Sequence, residues 1–297
     1  MHLLRIKTKI KKFNKVVSIE GDKSLSIRWA LIASQSENKS KSENLLLSED
    51  VINTLKCLKK LGVKLKISKN FCEINGVGLN GFEYKKNLIL NAGNSGTLGR
   101  LIMGLLTHTK YAIKLKGDKS LSKRDFLRII KPLKKFGAKF KSNLGKLPVT
   151  IRGTNNPNPI FYNETKGSAQ VKSSLMLAAL NTRGETIIKA KKSRDHSELL
   201  FKYLKLPIKV KKKRDYDLIK INGKKKIPAL NYKIPSDISS CAFFIVLTIL
   251  TKNSKLKIKN VNINPSRVGI LHILNMMGVK IQKINVREYK GEKIADL

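Results

Sequence analysis

GDKSLSIRWALIA (21–33) sets a small-polar cluster, Asp22-Lys23-Ser24-Leu25-Ser26, directly before an apolar run, and the chain repeats this plan three more times. The later clusters begin at Asn94 (NSGT), Ser168 (SAQ) and Asp237 (DISS), at successive offsets of 72, 74 and 69 residues. The apolar runs that follow cover 29–33, 101–106, 175–180 and 242–250. Later in most repeats a second helical pattern ends in an apolar residue plus glycine, as in Leu61-Gly62, Phe136-Gly137 and Met277-Gly278. Glycine just past the last periodic residue stops a helix. A strand-like alternation follows each: VKLKI, AKFK and VKIQK. The third repeat lacks that glycine and shows Leu206-Pro207 instead. A fixed period means one supersecondary unit used several times, here strands plus two helices, so the fold is α/β.

The 297 residues include 62 Lys plus Arg against 20 Asp plus Glu, a formal net charge of +42. Such an excess invites a nucleic-acid reading. Its form argues against one, because the lysines are spread along the whole chain and alternate with apolar residues, as in Lys64-Leu65-Lys66. That is the pattern of solvated strand faces. The charge is still expected to draw in anionic substrates. Three cysteines, Cys57, Cys72 and Cys241, fit no metal framework, and the four histidines form no HExxH-type group. The basic start MHLLRIKTKIKKF lacks the apolar core of a signal peptide, so reduced thiols and a cytoplasmic location are expected. The longest apolar run, Cys241–Leu250, is too short to span a bilayer and reads as a buried helix.

Serine, aspartate and asparagine at a helix start cap free backbone N–H groups. Three further features point beyond capping. Gly93, Gly96 and Gly167 lie in these clusters, and glycine lets a ligand approach the backbone. Helix N-termini attract anions. Cations recur beside them: Lys23, Arg28 and Arg100. With Ser24 as the cap, Arg28 lies four residues on and shares its face. GDKSLS occurs twice, at 21–26 and 117–122, and each copy is followed by an arginine, Arg28 or Arg124. The planar fork of arginine suits carboxylates and phosphates. No Walker P-loop is present, so an ATPase is not expected.

These motifs resemble one family, EPSP synthase (3-phosphoshikimate 1-carboxyvinyltransferase). In the family's order they are GDKSLSIR (21–28), NAGNSGTLGRLIMGLL (91–106), GDKSLSKRDFLRIIKPLKKFGA (117–138), GSAQVKSSLMLAAL (167–180), SRDHSELL (193–200), IPSDISSCAFF (234–244) and NPSRVGILHILNMMG (264–278). The resemblance implies transfer of the enolpyruvyl group of phosphoenolpyruvate to the 5-hydroxyl of shikimate 3-phosphate, without cofactor or metal, in chorismate biosynthesis. Lys23, Ser24, Arg28, Ser168, Ala169, Gln170 and Arg194 match shikimate 3-phosphate-binding positions. Lys23, Gly96, Arg124 and Gln170 match phosphoenolpyruvate-binding positions. Arg100 and Lys172 read as solvated helix charges, His196 as a capping or packing residue and Asp237 as a helix cap; none is placed in the site.

The family fold has two domains of repeated strand/helix units facing a cleft. It implies a complete three-unit domain at 21–233 and a partial second domain made of 1–20 plus 234–297. On that plan about two repeats of the second domain are missing. The catalytic residues are then expected in the absent C-terminal part, and this chain alone is expected to have little or no turnover. A monomer with no membrane association is expected. The sibling UDP-N-acetylglucosamine enolpyruvyl transferase usually carries Lys-Asn where this chain has Lys23-Ser24, and a cysteine-bearing loop that has no match here. The remaining alternatives are a basic nucleic-acid-binding protein and an inactive remnant that keeps the half-site.

Overall fold

Asp22, Ser95, Ser168 and Asp237, at the heads of the four repeats, each cap a helix in the computed structural model, which describes residues 9–297. His2 and the start of the basic leader lie outside the described residues. The helices are α1 (Lys23–Ala33), α2 (Glu49–Lys60), α3 (Gly96–Leu105), α4 (Lys119–Ser122), α5 (Leu127–Lys135), α6 (Ala169–Leu180), α7 (His196–Tyr203), α8 (Ile238–Leu250) and α9 (Gly269–Met276).

Two compact units emerge. One holds Gly21–Ile234 together with Lys290–Glu292; the other holds the described residues up to Glu20, Pro235–Tyr289 and Lys293–Leu297. The first unit contains three sheets of one design. Tyr232–Lys233, Lys39–Glu43, Phe71–Asn75 and Lys64–Ser68 form the first; Leu88–Asn91, Ile113–Lys116, Lys146–Arg152 and Lys139–Asn143 the second; Phe161–Glu164, Glu185–Lys191, Tyr216–Asn222 and Ile208–Lys212 the third. In each, the first-named strand runs parallel to its neighbour and the other pairs are antiparallel.

The same unit holds α1, α3 and α6, which are buried almost all round. A helix apolar on every face belongs in a core. Trp29 is fully buried and donates Nε1–H to the Leu230 carbonyl at 2.8 Å. The outer helices α2 and α5 are amphipathic and end in Gly62 (φ +89°) and Gly137 (φ +101°). In the third repeat Lys205 takes that left-handed position at φ +52° after α7.

The second unit packs α8 and α9 on short strands, with Asn14–Val17 parallel to Lys255–Ile258. Two expectations change here. The run 241–250 is helical but not buried: Phe243 is 79% and Leu250 77% exposed. Only one side of α8 packs, through Ile238, Cys241 and Ile245. VKIQK (279–283) is not a strand, and the strand begins at Ile284. Val279 and Ile281 pack from a loop against the unit's hydrophobic cluster instead.

Candidate functional site

The starts of α1, α3 and α6 all lie in the first unit, where those of α3 and α6 meet. Each is closed by a side-chain cap: Asp22 Oδ1 accepts from Leu25 N at 2.9 Å, Ser95 Oγ from Leu98 N at 3.2 Å and Ser168 Oγ from Val171 N at 3.3 Å. Asp22, not Ser24, is therefore the cap of α1. Its carboxylate also favours the positive end of the helix dipole. Ser24 lies one turn before Arg28, whose Nη1 donates to its carbonyl at 3.1 Å. Gly93 (φ +56°) and Gly167 (φ +67°) turn the chain into α3 and α6.

Side-chain bonds tie these helix starts together. Gln170 of α6 accepts from Arg100 Nη1 at 2.8 Å and donates to Thr97 Oγ1 at 3.2 Å, both on α3. Ser174 Oγ donates to the Arg100 carbonyl at 2.9 Å. Arg28 crosses from α1 to Ser173 of α6 and Ser197 of α7. Arg124 follows the second GDKSLS, which forms only the single turn α4, and donates to Asn94 Oδ1 at 3.0 Å. A Cβ on Gly96 would stand 2.8 Å from Arg100 Nη1 and 3.0 Å from Arg124 Nη1, so both guanidinium groups close over that glycine.

Among the expected site residues, Ser24, Arg28, Gly96, Arg124, Ser168, Ala169 and Gln170 thus gather at or beside helix starts. Lys23 opens α1, and its exposed ammonium pairs with Asp50 at 3.2 Å. Arg194 is exposed just before α7, close enough for its charge to act on Arg28. Burial lowers the Arg28 pKa to about 10, against the pull of Glu198, Asp22 and Glu292. Burial lowers Arg100 likewise to about 10, with help from Arg128 and Arg124. Both stay protonated at neutral pH.

Three residues set aside on sequence grounds turn out to be buried. Arg100 is 5% exposed and stacks on Phe126 at 5.0 Å. Lys172 is fully buried and its Nζ lies 2.5 Å from Glu198 Oε1, an ionic contact whose angles miss those of a directed hydrogen bond. Burial raises the Glu198 pKa, while Lys172 pulls it down. His196 is fully buried, with Nδ1 2.6 Å from Glu292 Oε1. A readable signal existed: GTLGRLIMGL and AQVKSSLMLAAL leave no polar stripe, so a cation in either must be buried with the rest. Ser173, Ser197 and Glu292 carried no such signal. Among the described residues no group of three His, Cys, Asp or Glu could hold a metal ion.

A family model described as EPSP synthase (3-phosphoshikimate 1-carboxyvinyltransferase) matches residues 7–295. The chain belongs to the EPSP synthase family. A relative from Petrotoga mobilis, named 3-phosphoshikimate 1-carboxyvinyltransferase, is 41% identical over 98% of this chain and 67% of its own length. A like-named relative from Ruthia magnifica is 42% identical over 95% of this chain and 64% of its own. The EPSP synthase structure from Acinetobacter baumannii superposes with a TM-score of 0.88 at 36% identity, covering 96% of this chain and 64% of that one. The chain thus spans about two thirds of the length of these EPSP synthases.

Proposed function

We propose that the unit at 21–233 binds shikimate 3-phosphate in a 3-phosphoshikimate 1-carboxyvinyltransferase. That enzyme would transfer the enolpyruvyl group of phosphoenolpyruvate to the substrate's 5-hydroxyl and release phosphate. The reading rests chiefly on one observation: the capped N-termini of α3 and α6 meet beside Arg100 and Arg124, and Arg28 of α1 reaches the same helix α6. Such an arrangement supplies oriented N–H groups, helix dipoles and forked donors to a doubly anionic ligand.

Under this reading Lys23, Ser24, Arg28, Ser168, Ala169, Gln170 and Arg194 hold shikimate 3-phosphate. Lys23, Gly96, Arg124 and Gln170 face phosphoenolpyruvate. Gln170 bridges the two sets, since it already joins α6 to α3. The chemistry required of these residues is charge stabilisation. Fixed cations and N–H dipoles match negative charge on the phosphate and carboxylate groups without reorganising as the reaction proceeds. The reading extends to a monomer in a reducing cytoplasm. Burial pushes the three thiols up, Cys57 to about 11 and both Cys72 and Cys241 to about 12, which makes them poor nucleophiles. No described helix is long and apolar enough to cross a membrane.

Calorimetry with shikimate 3-phosphate at moderate salt tests the proposal without depending on turnover. Saturable binding is expected, weakened about tenfold or more by Lys23→Ala. A basic nucleic-acid-binding protein would instead show no response to this ligand. Its diffuse affinity for DNA would fall steeply with salt and survive Lys23→Ala.

A further inference from the structure

The Arg28 guanidinium has five N–H donors, and the fold takes up three of them. Nε–H donates to Ser197 Oγ at 2.9 Å, one Nη2–H to Ser173 Oγ at 3.0 Å and one Nη1–H to the Ser24 carbonyl at 3.1 Å. Ser197 Oγ donates in turn to Ser173 Oγ at 2.7 Å. The two linked hydroxyls therefore cover the Nε/Nη2 edge of the fork much as the two oxygens of a carboxylate would. They leave one N–H on each terminal nitrogen for a ligand.

The hydroxyl pair differs from a carboxylate in charge. A carboxylate on this edge would set a full negative charge in direct contact with Arg28, whereas two neutral hydroxyls satisfy its donors without one. Of the three buried carboxylates whose charge acts on Arg28, Asp22 caps α1 and the other two stand on other partners. Glu198 pairs with Lys172, and Glu292 with His196. Lys172 is the neighbour of Ser173 in α6, and Glu198 is the neighbour of Ser197 in α7. The ion pair accordingly holds the two helices together at the point where the hydroxyls must meet.

We propose that Ser173 and Ser197 are positioning residues that clamp the Arg28 guanidinium in its ligand-binding orientation, with the buried Lys172–Glu198 pair fixing the helices that carry them. The proposal deepens the functional reading above and rests on it for the identity of the ligand. Neither serine need touch that ligand. Both act through Arg28.

Two readouts separate this idea from the functional reading. The first is ¹⁵Nε–¹Hε NMR of Arg28 in the full chain, assigned by loss of the signal in Arg28→Lys. The Arg28 Nε–H should exchange slowly in the unaltered chain, and fast in Ser197→Ala and in Ser173→Ala/Ser197→Ala. Ser197→Thr, which keeps the hydroxyl, should restore slow exchange. The second is calorimetry with shikimate 3-phosphate, where the double variant should bind about tenfold more weakly while circular dichroism stays unchanged. An Arg28 Nε–H that exchanges in the unaltered chain as fast as that of exposed Arg287 overturns the clamp, and that result needs no variant to fold. Equal affinity of the double variant and the unaltered chain also overturns it. An unaltered chain with a protected Arg28 that does not bind shikimate 3-phosphate overturns the functional reading instead and leaves the clamp standing.

Discussion

Gly96 has almost no room for a side chain, yet what a methyl group would meet there is soft. Its Cβ would press on Arg100 Nη1 at 2.8 Å and Arg124 Nη1 at 3.0 Å, both at the ends of long side chains. Backbone is not in the way, so the fold can survive while the two cations shift. Gly96→Ala is therefore expected to leave the melting temperature within about 2 °C. Under the proposed function it should weaken phosphoenolpyruvate about tenfold or more. Shikimate 3-phosphate, held from Arg28 and α6, should bind nearly as before. Fluorescence titration with each ligand checks the split, and equal losses for both would contradict it. At this scale the sequence carried the anion-site residues well, because Gly-Asp-Lys-Ser with an arginine five residues beyond the lysine is a local pattern. It carried the supports of Arg28 poorly. Ser173 and Ser197 come from α6 and α7, far along the chain, and only tertiary packing brings them to one arginine.

Among the helices, α3 and α6 approach so closely that their contact depends on a missing Cβ. At Gly104 such an atom would stand 2.1 Å from the Ser174 carbonyl oxygen, which is backbone and cannot turn aside. Gly104→Ala must push α6 away from α3, at a cost of about 3 kcal/mol. At Gly99 the nearest atoms are Phe126 ring carbons at 3.4 Å, so Gly99→Ala should cost less than about 1 kcal/mol. Urea unfolding of the two variants tests the contrast. The far end of α6 offers a second test. There His108 Nε2 donates to the Ala178 carbonyl at 3.0 Å, with the proton placed on that nitrogen. Burial lowers the His108 pKa from 6.5 to about 4. As pH falls through that interval the unfolded chain takes up a proton that the folded chain refuses. Stability present above pH 6.5 is therefore lost on the way down to pH 4, by up to about 3 kcal/mol. His108→Gln should flatten this part of the pH profile in thermal unfolding. The four capped helix starts and the glycine stops were legible in the sequence because they are local backbone chemistry. Lys205 in place of a glycine and the loop at 279–283 were not, since the first is a tolerated left-handed residue and the second is set by packing.

For the whole molecule, the instructive difference lies between repeats of the same plan. In the first unit α1, α3 and α6 cover one another, and each is buried almost all round. In the second unit α8 is the corresponding helix, with a more apolar sequence than any of them, yet it leaves Phe243 and Leu250 in water, as α9 leaves Met276 at 83% exposure. Periodicity shows that a run is helical and apolar but not which neighbours cover it, so the run 241–250 read as buried. A cavity of about 390 Å³ bordered by Ile245, Ile249, Leu256 and Ile281 adds further uncovered lining in the same unit. An apolar area left in water contributes nothing to stability, and segments with few buried contacts open first. The second unit should accordingly exchange its amide hydrogens faster than the first. Proteolysis under native conditions should cut between residues 235 and 289 before it cuts α1, α3 or α6. An apolar dye such as ANS should bind the chain, and Phe243→Lys/Leu250→Lys should reduce its fluorescence; under the proposed function it should leave affinity for shikimate 3-phosphate unchanged, because neither residue lies in the first unit. If α8 amides proved as protected as those of α3, the exposed face would have to be covered in solution, and analytical ultracentrifugation would then show an assembly larger than one chain.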